Sequence, residues 1–470
     1  MLFSSLTFLF VFLPISLAIY YIVPFKLKNL VMLLASLVFY AWGEPVYVIL
    51  MILSITFNYF CGLDIAKKQA DRHNARNSLI VAVVVNLLLL GFFKYYGFLL
   101  DSINVILPFD IPYRQLPLPI GISFYTFQAL SYVIDVYRKE AKSQENYFHF
   151  ALYITMFPQL IAGPIVRYVD IEAQLHNRTM SLKKFGVGAQ FFIIGLAKKV
   201  ILANGTGYIF EQVLNTQMGS FSVLTAWVGC ISYALQIYFD FSGYSDMAVG
   251  LGKMFGFNFH RNFNYPYISK SVTEFWRRWH ISLSTWFREY VYIPLGGNRF
   301  GQSRQIMNLL IVWMLTGIWH GGAWNFVFWG LYYGIILILE KFVWGKSLER
   351  CHPAIQHIYA MVVVLIGWVF FFSPSLGYAI DYIGVMFGIG ASTFIDKLGL
   401  FLIGSHWLLF VLAFIGCAPV GFELVKNLYV NFNTVRVRRI VASVVYIGIF
   451  FVTLAYLVTE SFNPFLYFRF

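Results

Sequence analysis

Leu309 to Leu339 reads LLIVWMLTGIWHGGAWNFVFWGLYYGIILIL. The stretch holds no Asp, Glu, Lys or Arg, and its one ionisable group is the imidazole of His320. Two apolar runs meet there at a glycine-rich break. Similar runs recur along the whole chain, at about residues 2–24, 29–43, 46–62, 79–100, 118–136, 147–163, 185–203, 221–250, 305–319, 324–340, 355–373, 400–421 and 439–459. They are continuous, and most approach the 17–25 residues a membrane-crossing helix needs. Strands of a membrane barrel would instead alternate apolar and polar positions over about 10 residues. A backbone inside a bilayer must satisfy its own hydrogen bonds, so helices remain.

Composition agrees. Of 470 residues, 59% are hydrophobic and 12% charged, against about 25% charged in soluble proteins. Mean hydropathy is +0.70. The sequence predicts an all-α polytopic membrane protein with about 11–13 membrane helices, including re-entrant and amphipathic interface helices. It forms one integral-membrane domain over residues 1–470, with no soluble domain, repeat or low-complexity tract. Met1 to Val23 carries no charge, and a signal peptide would begin with a basic region. This run reads as an uncleaved first span with its N-terminus outside.

The net charge of +13 does not point to nucleic acid. The cations cluster in short loops, at Lys67, Lys68, Arg72 and Arg76, at Arg138, Lys139 and Lys142, at Lys341, Lys346 and Arg350, and at Arg436, Arg438 and Arg439. That is the distribution of cytoplasmic loops between spans, and the bilayer is the partner it implies. The four cysteines are scattered with no C-x-x-C pair, so neither a metal site nor a disulfide framework is expected.

Residues 251–304 break the pattern, being polar, aromatic and basic. Within them SVTEFWRRWHISLSTWFREYVYIPL carries helix-start signals at Ser271 or Thr273 with Glu274 in the first turn. Phe275, Trp279, Leu283 and Trp286 recur at helical spacing, which predicts an amphipathic helix lying on the membrane with tryptophan anchors.

Three groups are suited to chemistry. An ionisable residue within an apolar helix is costly and usually functional. His320 is therefore the first candidate, as a neutral imidazole able to take a proton from an attacking hydroxyl. His280 lies beside Arg277 and Arg278, which are suited to phosphate; it reads equally as an interface histidine without a role. Asp240, Ser242 and Asp246 lie in QIYFDFSGYSDMAVG, either lining a path or, as the reading preferred here, joining helices as buried polar groups. PLGGNRFG lacks the lysine of a P-loop, FSGYSD is not a serine-hydrolase elbow, and no H-E-x-x-H occurs. A transporter is the competing class, since intramembrane Asp and His also mark carriers. The missing internal symmetry argues against it.

The blocks LPIGISFYTFQALSYVIDVYR (118–138), FPQLIAGPIVRY (157–168), DFSGYSDMAVGLGKMFGF (240–257), NFNYPYISKSVTEFWRRWHISLSTWFREYVYIPLGGNR (262–299) and GIWHGGAWNFVFWG (317–330) resemble the membrane-bound O-acyltransferases. The nearest likeness is to the alginate O-acetylation group of bacteria. It covers nearly the whole chain, with a signature core at about 118–340. GAWNF after W-H-G departs modestly from the family pattern.

The resemblance implies helices ringed around a funnel or tunnel. His320 matches the family's near-invariant histidine, and His280 its second signature position. Arg277, Arg278, Trp279, Asn298 and Arg299 become the expected donor-binding residues. No cofactor is permanently bound, and acetyl-CoA is the expected acyl donor from the cytoplasm. A cell-surface polysaccharide is the expected acceptor, reached through an extracytoplasmic acetyltransferase of the SGNH type. The expected location is the bacterial cytoplasmic membrane, multi-pass. The related alternative is D-alanyl transfer to teichoic acid from a carrier-protein thioester.

Overall fold

The computed structural model describes residues 1–161, 163–421, 423, 434–459, 462–464 and 466. Among these the chain is helical, without strands. Seven helices are long and apolar enough to cross a membrane, or eight if Lys397–Ser405 and Trp407–Gly416, bent by 66°, count as one span. This is the all-α polytopic class expected. The count is lower than 11–13 because several apolar runs fold as shorter, broken or less apolar helices. The run at 147–163 forms Tyr147–Thr155 and Phe157–Leu160, parted at Met156. Pro158 sits at the start of the second piece, where its missing N–H costs nothing. The run at 118–136 becomes Ile122–Arg138, 17 residues that are almost wholly buried in protein.

The chain divides into two compact units, Met1–Phe192 with Ser245–His260, and Ile193–Tyr244 with Arg261–Phe470. In the first, Tyr47–Lys67 and Arg72–Asn104 are joined by a buried pair of amides. Asn58 donates to Asn86 at 3.1 Å and Asn86 donates back at 2.7 Å. Such reciprocal bonds fasten helices where apolar contact alone gives little specificity. Asp71 caps the second helix by accepting from the amides of His73 and Asn74. Arg178 donates to the Tyr20 hydroxyl and to the Phe255 carbonyl and lies over the Phe257 ring.

In the second unit, Gly301–His320 packs along Trp324–Leu339. The helices meet at Gly317 and Gly330. A Cβ on Gly317 would lie 2.3 Å from the Phe326 carbonyl oxygen, and one on Gly330 would lie 2.4 Å from that of Trp313. Only glycine permits this approach. Around the pair lies an aromatic core containing Trp276, Trp279, Trp329, Tyr333, Trp368 and Phe371.

The segment expected to lie on the membrane instead enters this core. Ser271 is the N-cap, accepting from the Glu274 amide at 3.0 Å. The helix Val272–Arg278 then stops, and a second helix, Ile281–Phe287, follows. Phe275, Trp279, Leu283 and Trp286 are all buried. Their aromatic face packs against protein, so the anchor role is replaced by a core role.

Candidate active site

His320 is the last residue of Gly301–His320 and is 6% exposed. Gly321, Gly322 and Ala323 break the chain before Trp324 resumes it. The imidazole is walled by the rings of Trp319, Trp329 and Phe371, with centroids 5.0, 5.0 and 5.2 Å away. His280 stands at the break between the two short helices, with φ 44° and ψ 55°. A left-handed conformation at a non-glycine residue is uncommon and held only by its surroundings. Here the surroundings are explicit. His280 is 1% exposed, its ring meets Phe241 at 4.7 Å, and Nδ1 lies 3.2 Å from Asn262 Oδ1.

Asn262 decides the tautomer of His280. Its Oδ1 also accepts from the Ser282 amide at 3.1 Å and the Ser282 hydroxyl at 2.9 Å. A backbone N–H can only donate, so this atom is the acceptor of the side-chain amide. Nδ1 of His280 must then carry the proton, and Nε2 presents a lone pair. Burial pushes the imidazole down to about 3 from its ordinary 6.5, because desolvation penalises the cation. His280 lies outside the candidate spans and is neutral at physiological pH.

Both histidines line one cavity of about 880 Å³ in the second unit. Its walls include Trp276, Trp279 and Thr316, and its rim carries Lys270, Arg277, Lys341 and Lys346. These four cations are exposed, so they present positive charge where the cavity meets solvent. Of the expected donor-binding residues, Arg277 and Trp279 line this cavity. Arg278 turns to Glu274 at 2.8 Å and to the Asn264 carbonyl at 3.0 Å, and is not among the walls. Asn298 and Arg299 are exposed in the turn after Tyr292 and are not among the walls either.

The W-H-G-G break, the paired histidines and the basic rim fall within residues 136–376, and over that range the sequence matches the family model described as MBOAT, membrane-bound O-acyltransferase family. The chain belongs to the membrane-bound O-acyltransferase family. It is 43% identical over 402 residues to the probable alginate O-acetylase AlgI of Azotobacter vinelandii, covering 84% of this chain and 80% of that one. It is 36% identical over 425 residues to the peptidoglycan O-acetyltransferase of Helicobacter pylori, covering 83% and 80%. Similarity to the teichoic acid D-alanyltransferase of Bacillus subtilis is 28% over 242 residues, covering 49% and 61%. The chain is thus an O-acyltransferase.

Two positions in this O-acyltransferase escape sequence patterns. Asn262 is one, since nothing in HRNFNYP marks an amide as the partner of a residue 18 positions on. Glu340 is the other. It is 5% exposed, and its carboxylate accepts from the amides of Val272 and Thr273, both at 2.8 Å, and from the Tyr359 hydroxyl at 3.3 Å. It supplies acceptors to the first turn of the helix that leads to His280, where a carboxylate is favoured. An acid at the end of an apolar run is a signal that could have found it.

Asp240 lies apart from the cavity, in an ion pair. It pairs with Lys199 at 2.8 Å, with both side chains at most 3% exposed, and its other oxygen accepts from the Leu466 amide at 2.9 Å. Lys199 also donates to Asn204 and to the Pro464 carbonyl. Residues 464 and 466 are thereby tied to the middle of Val223–Met254. Ser242 is buried and, like Asp240, is not a wall of the cavity. Asp246 is half-buried and belongs to the other unit.

Replacing Asp240 by alanine strands the Lys199 ammonium, so a loss of about 3–5 kcal/mol is expected. The double replacement Lys199→Met with Asp240→Leu regains most of it in thermal unfolding. Glu340→Ala removes the acceptor of the buried Val272 amide, worth about 1–3 kcal/mol, and that of the part-buried Thr273 amide. Limited proteolysis is expected to cut first near residues 270–280 in that variant. His280 provides a pH signature. Its folded pKa is depressed, so the unfolded chain binds the proton first, near 6.5. Stability falls as pH drops through that value, by about 2 kcal/mol between pH 7 and 5. Melting curves at the two pH values should show this loss shrinking by the same amount in His280→Gln.

Proposed function

We propose that this O-acyltransferase takes an acetyl group from a cytoplasmic thioester, acetyl-CoA, for O-acetylation of a cell-surface polysaccharide. The observation that carries this reading is the one cavity shared by His280 and His320, with the exposed cations Lys270, Arg277, Lys341 and Lys346 among its lining residues. Phosphates of a coenzyme are complementary to Lys270, Arg277, Lys341 and Lys346. The apolar walls around the imidazoles exclude water that would hydrolyse the thioester.

In the proposed reaction, His320 takes the proton of the acceptor hydroxyl as its oxygen attacks the thioester carbonyl. The tetrahedral intermediate collapses, the C–S bond breaks, and the departing thiolate receives the proton held by His320. His280 presents a lone pair at Nε2, which suits it to accept a hydrogen bond from the nucleophile or from the amide-rich arm of the donor. With that tautomer it is not a donor to the oxyanion, so that role passes to backbone amides.

Acetyl is favoured over D-alanyl transfer by the comparisons, since likeness to the acetylases spans most of the chain and likeness to the D-alanyltransferase about half. The relatives' names concern alginate and peptidoglycan; for this chain the acceptor class is a surface polysaccharide. A separate extracytoplasmic acetyltransferase of the SGNH type completes delivery, and the bacterial cytoplasmic membrane is the site of action.

Purified protein in lipid, given radiolabelled acetyl-CoA, tests the assignment. The wild type is expected to consume the thioester, and folded His320→Ala to lose at least about 10²-fold in rate, the scale of a positioned proton acceptor. Equal consumption by both would sink the role given to His320. Label trapped on the wild-type chain would replace proton transfer by a covalent acetyl relay.

A further inference from the structure

A second cavity of the same unit, about 540 Å³ in volume, lies between residues 231–235, the helix Pro353–Phe372 and the end of Trp407–Gly416. His357, Met361 and Leu365 line it at successive turns of one helix. The slot therefore runs along that helix for about 12 Å, at 1.5 Å per residue. Its ends differ. Leu365, Ile231 and Phe414 form apolar wall, whereas His357 shares its end with Lys270, because His357 Nδ1 donates to the Ser269 carbonyl at 3.0 Å. With Nδ1 carrying the proton, Nε2 is left as an acceptor, suited to a headgroup hydroxyl.

The slot borders the apolar outer surface. Phe414, one of its walls, is 54% exposed, and Ile358, next to His357, is 62% exposed. The polar end lies near the start of Pro353–Phe372, just after Lys341, Lys346 and Arg350. The positive-inside rule assigns that end to the cytoplasmic leaflet. That leaflet carries the anionic lipids, and basic pockets between helices on this side hold their headgroups.

From this combination we infer that the slot binds an acidic phospholipid. One acyl chain lies against Met361, Leu365 and Phe414, and the phosphate sits at the Lys270 ammonium. The volume falls in the range of small-molecule sites, and a free anion would have no use for the apolar run. Tyr267 separates this slot from the cavity of the two histidines. Its hydroxyl donates to the Ala234 carbonyl at 2.7 Å and accepts from Trp368 Nε1 at 3.0 Å, and its ring lies 6.2 Å from that of Trp279. Lys270 lines both cavities, so a bound lipid phosphate would stand beside the rim of the other cavity. The inference does not depend on which acyl donor enters there.

Native mass spectrometry of the full chain in nonionic detergent tests it, with phosphatidylglycerol and phosphatidylcholine of identical chains as probes. One phosphatidylglycerol is expected to bind about fivefold more tightly than phosphatidylcholine, the gain expected from one lysine near an anionic headgroup. Lys270→Gln should erase the preference, and Ala234→Trp, which fills the slot, should reduce binding of both lipids. If Ala234→Trp is not monodisperse, Met361→Trp fills the slot from the opposite wall. Equal binding of the two lipids by the wild type overturns the inference. So does a preference retained in a folded slot-filling variant, or displacement of the lipid by millimolar inorganic phosphate.

Discussion

The carboxylate of Glu340 is the constraint on which the arrangement of the two histidines rests. It sits at the end of Trp324–Leu339 and accepts the first amides of Val272–Arg278. Ten residues earlier on the same helix, or about 15 Å, Gly330 lies against Gly317 of the helix that ends at His320. One helix thus carries two fixed points. A close glycine contact holds the backbone before His320, and a buried carboxylate holds the helix before His280. A buried carboxylate is costly unless its lone pairs are used, and here two amides and a hydroxyl use them. The bonds to this carboxylate leave little freedom to the short segment that ends at a left-handed histidine.

Much of this was legible in the sequence because the membrane simplifies the problem. Long uncharged runs indicated helices, and the rule that ionisable groups in such runs are functional singled out His320. The same periodicity that marked Phe275, Trp279, Leu283 and Trp286 as one face misjudged what that face meets. An aromatic stripe is equally good for a lipid interface and for a protein core, and only the partners Tyr238, Phe263, Tyr267 and Trp368 distinguish the two. The basic residues divide in a similar way. Arg277 and Arg278 are adjacent in sequence yet point to different tasks, because neighbours on a helix are about 100° apart. Arg278 reaches Glu274 one turn back, and Arg277 is left to the cavity. Asn298 and Arg299 lie in a well-marked block, but the turn after Tyr292 carries them to solvent.

Charge is handled in two regimes. Where it is buried, it is matched at short range, as in Lys199 with Asp240 or Glu340 with two amides. At the solvent end of the cavity it is exposed and mostly of one sign, as with Lys270, Arg277, Lys341 and Lys346. The first regime specifies structure, since removing one partner strands the other. The second attracts anions and costs little when empty, because each ammonium or guanidinium remains hydrated. A ligand that brings phosphate therefore finds its binding charge at the rim, while the one buried carboxylate of the lining, Glu340, is occupied by the amides of Val272 and Thr273.

The tautomer of His280 carries a chemical consequence. A histidine buried among aromatic rings is neutral, and a neutral imidazole has one donor and one acceptor. Asn262 takes the donor, because its oxygen is already fixed by the Ser282 amide. The remaining nitrogen can only accept. An oxyanion needs donors, so His280 is unsuited to stabilise one unless it first gains a proton, and burial works against that. It is suited instead to hold a hydroxyl or an amide N–H of a bound molecule in a chosen direction. Asn262 thereby determines which of two opposite roles the histidine of the Trp279–His280 pair can play, though it lies 18 positions away and touches only the far edge of the ring.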